Sequence, residues 1–173
     1  MSSQRIAAFV LGAWIMGSLF MIFVATQNFQ TADAFANAEA HAVGREMAGR
    51  LNQLFFVDWE RTELLLGIVF VALAWLGVQR VWLGGISTAT LALVAMQHLL
   101  VTPRMLSLSQ HLDNAAMAGE FGRLHAMYGI SEVLKLVLLF ALAAILLPAW
   151  RGRVRSTVQV QAIDYADHGH IDR

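Results

Sequence analysis

The chain has 173 residues, 58% of them hydrophobic and 14% charged, with 12 basic and 12 acidic residues that cancel and no cysteine. Soluble domains carry about 25% charged residues, and a domain of this size has too much surface to hide so much Leu, Ala, Val and Phe from water. The composition therefore excludes an ordinary soluble fold, a basic nucleic-acid-binding surface, disulfides, thiolate metal sites and iron–sulfur clusters. A mean hydropathy of +0.59 points to lipid as the solvent.

A membrane span needs about 20 apolar residues. The first run, Ile6 to Thr26, contains no charge. It exceeds the ~7–15 apolar residues of a signal peptide, and no small-x-small cleavage site follows it. It reads as an uncleaved anchor. Gly12 and Gly17, with Ala13 four before Gly17, allow a second helix to approach closely. Trp14, in mid-span, reads as a packing residue.

Between residues 33 and 57, Val43, Met47, Leu51, Leu54, Phe55 and Asp58 recur at three- and four-residue spacing. That pattern predicts one stripe of an amphipathic helix. Such a helix would lie on the membrane surface or lean on the bundle; a partner-binding helix is the alternative.

The next apolar stretch runs from Leu64 to Val101. As one helix it would be about 57 Å long, almost twice the hydrocarbon thickness. Gln79-Arg80 is its polar break, so the stretch predicts a helical hairpin. Span two ends near Val78 and starts near Asp58, with Asp58, Glu60 and Glu63 in its first turns, where carboxylates suit the positive end of the helix dipole. Span three runs from Trp82 to Val101. Pro103 then predicts a kink or restart, and Asp113-Asn114 a turn. The fourth run, Gly129 to Leu147, is expected to end at Pro148, which has no N–H to donate.

The expected architecture is all-α, an integral membrane four-helix bundle over residues 1–150. Its spans are about 6–26, 58–78, 82–101 and 129–147, with amphipathic outer segments and a polar cytoplasmic tail over 151–173. Arg5, Arg80, Arg151, Arg153 and Arg155 flank the spans on the side of the termini. Arg45, Arg50, Arg61, Arg104 and Arg123 are diluted by acids on the other. The positive-inside rule puts both termini in the cytoplasm. Trp75, Trp82 and Trp150 are then expected at the inner interface, and Trp59 and Tyr128 at the outer one. His168-Gly-His170 reads as part of a loose tail.

Several short motifs spread over residues 5 to about 147 resemble those of a known family. Leu11-Gly12-Ala13-Trp14 through Gly17 is similar to its Leu-Gly-x-Trp-x-Gly opening. Val24-Ala25-Thr26 with Phe29 resembles its Val-Ala-Pro…Phe exit, with threonine where proline is usual. Thr102-Pro103-Arg104-Met105 resembles its Pro-Arg-Met. Glu120-Phe121-Gly122-Arg123-Leu124-His125 resembles its Glu-Phe-x-x-Leu-His. The last two are the most specific, while Lys135 stands where the family often has asparagine. The family is a widespread group of small four-span bacterial membrane proteins catalogued as a domain of unknown function, with relatives among small eukaryotic transmembrane proteins. The resemblance implies the four-span fold and a bacterial inner membrane, and no reaction or ligand.

The polar residues within or beside the spans are the candidate sites. His98 and His125 fall at similar depth on spans three and four. Two such imidazoles can ligate haem iron, or hold copper together with Met96, Met105 or Met127. They can equally hydrogen-bond a backbone carbonyl or a neighbouring helix. Glu132 and Lys135 share one face of span four. They read as an ion pair locking helix packing, with a proton or ion path as the alternative. Arg104 is expected to meet Asp58, Glu60 or Glu63 across an outer rim, or a lipid phosphate.

No nucleophile–base arrangement, phosphate loop or zinc-protease helix is present, so the chain is not expected to be an enzyme. Two functions follow. One is a structural or accessory membrane protein acting by helix packing with lipid, with itself or within a larger membrane complex, and requiring no cofactor. The other is a small carrier or binder of a metal, haem or lipophile at the outer end of the bundle.

Overall fold

The structure, a computed structural model, describes residues 3–76, 80–111 and 114–168, and the side chains of 4–76, 81–111 and 114–146. Helix α1 spans Ser3–Asp33. Its apolar residues Ala7, Val10, Leu11 and Trp14 recur at helical spacing, and all are buried. Asn37 then caps α2, Ala38–Trp75, by accepting the Glu39 N–H at 2.8 Å, which satisfies one of the helix's orphan donors.

Helix α2 is 38 residues long, about 57 Å at the α-helical rise. The amphipathic segment and the second expected span are therefore one helix. The physical reason is in the sequence: no proline separates them, and helix formers run through the junction. The face that packs is also not the one expected. Val43, Met47, Leu51, Leu54 and Phe55 are exposed, whereas Ala48 and Asn52 are buried. Asn52 accepts from Asn28 Nδ2 at 2.6 Å and donates to the Ala25 carbonyl at 3.3 Å. At the far end Arg45 pairs with Asp33 at 2.6 Å. Helices α1 and α2 thus form one long antiparallel hairpin.

Helix α3, Arg80–Met96, runs into a π-helical turn at Gln97–Val101 and then α4, Thr102–Leu108. The wide turn is marked by the Thr102 N–H reaching back to the Gln97 carbonyl, five residues earlier. Pro103 supplies the cause. It has no N–H to give, and its ring crowds the carbonyl four residues before it, Leu99. The helix accommodates proline by widening. The expected kink is thus a bulge inside one continuous rod.

Helix α5 covers Ala115–His168. Asn114 caps it, accepting from the N–H groups of Ala116 and Met117 at 2.9 and 3.4 Å. The expectation that Pro148 ends this helix is wrong: the backbone stays helical through it. Membrane helices tolerate proline where neighbouring groups compensate the lost bond. The segment expected to be a loose tail is helical as far as His168. His170, like Asp113 of the expected turn and the Gln79 break, lies outside the described residues.

The four rods pack around Leu11, Trp14, Phe70, Val94, Leu139 and Leu142. Large apolar side chains also point outward, among them Phe9, Phe20, Phe23, Ile130, Val137 and Phe140. Among the described residues, three helical stretches are long and apolar enough to cross a membrane: Gln4–Asp33, Val81–Leu108 and Ala115–Leu146. The molecule is an all-α four-helix bundle with the marks of a multi-pass membrane protein.

A buried ionic network as the candidate functional site

Charged side chains are costly inside a low-dielectric bundle unless they are paired. Among the described residues this bundle buries four of them: Glu60, Glu63 and Lys135 are 0% exposed and Glu132 is 8% exposed. The Lys135 ammonium lies 2.7 Å from Glu63 and 2.7 Å from Glu132 Oε1. Helix α1 completes the Glu63 carboxylate: Trp14 Nε1 donates to Oε1 at 3.0 Å and the Ser18 hydroxyl donates to the same oxygen at 2.8 Å. Trp14 and Ser18 are one helical turn apart, so both reach the same partner.

The π turn supplies the next two members. Gln97 donates through Nε2 to Ser131 Oγ at 2.7 Å and to Glu132 Oε1 at 2.9 Å. The Ser131 hydroxyl in turn donates a hydrogen bond to the Tyr128 carbonyl at 2.7 Å. His98 Nδ1 lies 3.0 Å from Glu60 Oε2, and the Thr102 hydroxyl donates to Glu60 Oε1 at 2.6 Å. Consecutive residues of the bulge thus serve two different carboxylates. Ser18, Gln97 and Ser131 each lie on one of the three apolar stretches that could cross a membrane. The network thus joins all four rods inside the bundle.

Among the described residues, three buried polar side-chain atoms have no hydrogen-bond partner: Trp59 Nε1, Gln97 Oε1 and the Tyr128 hydroxyl. Tyr128, expected at the outer interface, is buried within the bundle. It packs edge-on against Phe56, with ring centroids 5.8 Å apart, and its hydroxyl lies within electrostatic reach of Glu60, Glu63 and Glu132.

The residues singled out in the sequence are distributed differently from the expectation. Glu132 and Lys135 meet, and Glu63 joins them. Arg104 meets none of Asp58, Glu60 or Glu63. It forms a two-pronged pair with Glu120, at 2.9 and 3.0 Å, and Asp58 pairs with Arg61 on its own helix. The outer-rim cluster of Arg104, Asp58, Glu60 and Glu63 is thus not one cluster. The two histidines also part company. His98 turns to Glu60, while His125 is exposed and stacks on Phe121 one turn before it. Met96 and Met127 are 40% and 55% exposed. Among the described residues no three His, Asp or Glu side chains are grouped to hold a metal ion. Equal depth along two helices does not fix direction around them, and direction is what separates these imidazoles.

Sequence reasoning passed over Ser18 and Ser131, gave Tyr128 only an interfacial place and Thr102 only a place in a motif, and did not assign Gln97 a role. The available signal was spacing. Trp14 and Ser18 repeat every four residues on α1, and Tyr128, Ser131, Glu132 and Lys135 line one face of α5. A scan against protein-family models, a search of curated proteins and a search of solved structures each find no match.

Proposed function

We propose that the protein is a four-span structural or accessory membrane protein that acts by helix packing, within a larger membrane complex or with a second copy. The fourth span is the C-terminal half of α2. The observation that supports this reading is the closure of the buried charges on one another. Lys135 answers Glu63 and Glu132, His98 faces Glu60, and every rod contributes a side chain. Such a network fixes which helix faces which, and at what register. Its buried charged side chains are held against one another across the helices, as a packing role requires. The motif resemblance to small four-span bacterial membrane proteins, and the arginines at residues 151, 153 and 155, favour an inner-membrane location with both termini cytoplasmic.

The test is purification in mild detergent, followed by an absorption spectrum, a metal analysis and identification of co-purifying subunits. Colourless, metal-free protein recovered with one defined membrane partner, or as a defined oligomer, is expected. A Soret band, or stoichiometric copper lost on His98→Ala or His125→Ala, would overturn the packing role in favour of a carrier. Reporter fusions at Arg153 and Asn114 should read cytoplasm and exterior respectively; the reverse pattern would invert the topology.

A further inference from the structure

We infer that the outward face of α2 is a dimer seam, covered by the same face of a second copy of this chain. The inference rests on the four-span packing role and names its partner. Met47, Leu51, Leu54, Asp58, Arg61 and Leu65 follow one another at alternating steps of four and three residues, and the run continues through Ile68 to Trp75. A sustained repeat of this kind is the seam of a left-handed pair of coiled helices. Every one of these side chains is exposed, Met47 and Leu54 by 66% each, so nothing within one copy covers the seam.

The inner part of the seam, from Leu65 to Trp75, is satisfied by lipid, which is as apolar as its side chains. The outer part has no such solvent. Asn52 bonds Asn28 and the Ala25 carbonyl, which sets it level with the end of the uncharged run of α1. Beyond that level α1 exposes the polar Gln27, Gln30 and Thr31, and α2 exposes the charged pair Glu46 and Arg50. Exposed charges of both signs do not sit in hydrocarbon, so Met47 and Leu51 are apolar side chains without an apolar solvent.

The segment does not lie flat on the membrane either, as an amphipathic surface helix would. It is the unbroken continuation of α2, and the Arg45–Asp33 pair ties it back to the end of α1. A protein surface is what remains to cover it.

Charge identifies that surface. Asp58 and Arg61 are the charged members of the seam, with side chains 77% and 65% accessible, and they lie 3.1 Å apart on one helix. An apolar partner helix would strip water from both ions and return nothing. An identical helix runs parallel to the first, because both copies cross the membrane in the same sense. Asp58 of each copy then lies one step along the seam from Arg61 of the other, and the four charges sum to zero. Such self-complementarity is what a two-fold interface demands.

The chain has no cysteine, so single introduced cysteines report the seam directly. Under mild oxidation in native membranes, Leu51→Cys and Leu54→Cys should form disulfide-linked dimers about tenfold faster than Glu46→Cys, because only facing residues come close enough to bridge. Leu54 is exposed in the single copy, so Leu54→Glu spares the fold; it should weaken self-association in mild detergent by about a hundredfold, by burying an unpaired carboxylate. Asp58→Arg should also weaken it, and adding Arg61→Asp should restore it. The unaltered protein should have twice the single-chain mass of 19.1 kDa. Equal linking at all three positions overturns the seam, as does a single-chain mass with no link at Leu51 or Leu54. If that single chain is recovered with a different membrane subunit, the packing role stands and only the seam falls; if it is recovered alone, both fall.

Discussion

Lys135 Nζ lies 2.7 Å from the Glu63 carboxylate, and the two residues are 72 positions apart in the chain. Both are 0% exposed. Removing one partner of a buried pair leaves the other charge stranded, at a cost of about 3–5 kcal/mol. Lys135→Met is therefore expected to lower stability by about that much, measured by thermal or denaturant unfolding in detergent. Adding Glu63→Gln to it should cost far less than the sum of the single changes. Strict additivity would show that the two side chains do not interact.

Gly17 carries a second prediction. A Cβ built there would overlap the Trp59 indole, whereas nothing comes within 4 Å of one at Gly12. Gly17→Ala should cost about 1–3 kcal/mol through overpacking. Gly12→Ala should be neutral or stabilising, since alanine favours helix by about 1 kcal/mol. The opposite order of melting temperatures would mean that α1 and α2 do not cross at Trp59.

The Arg104–Glu120 pair is half-exposed, with side chains 54% and 45% accessible. Exposed pairs contribute about 0–1 kcal/mol even with good geometry. Arg104→Ala should therefore shift stability by less than about 1 kcal/mol, and the shift should shrink as salt is raised. A loss as large as that of Lys135→Met would place the pair in a dry setting instead.

Asn52 ties the outer halves of α1 and α2 through Asn28 and the Ala25 carbonyl. Interhelical polar contacts of this kind average about 0.6 kcal/mol in a membrane bundle, and reach about 1.7. Asn52→Ala should fall in that range by equilibrium unfolding. A change beyond the effect of Lys135→Met would rank this contact above the ionic network.

Much of the fold was legible because its cause is local. Long uncharged runs announce apolar helices, and Asn37 and Asn114 sit where caps belong. The i, i+3 spacing of Glu132 and Lys135 put them on one face before any packing was known. Glu63 was harder to read. At the start of a span a carboxylate is explained by the helix dipole, and nothing nearby indicates that an ammonium on another helix will meet it. Lys135 stands near the start of the apolar run that begins at Gly129, but its helix begins at Ala115, so it lies well inside the rod. Pro103 and Pro148 were read alike as breaks, yet helix continues through both, since membrane helices tolerate proline where other groups offset the missing donor. Separating two histidines at matched depth needs the rotation of each helix about its axis, which only the packed bundle supplies.

The bulge before Pro103 has a consequence for how substitutions along its rod are interpreted. A π turn holds one residue more than the α-helical turn it replaces, so positions after Val101 are rotated by about 100° from the phase set by α3. Deleting one residue within 97–101 together with Pro103→Ala would rejoin the two phases into a regular helix. Gln97 and His98 would then no longer reach both Glu132 and Glu60, so that single inserted residue is what lets one rod address both acids.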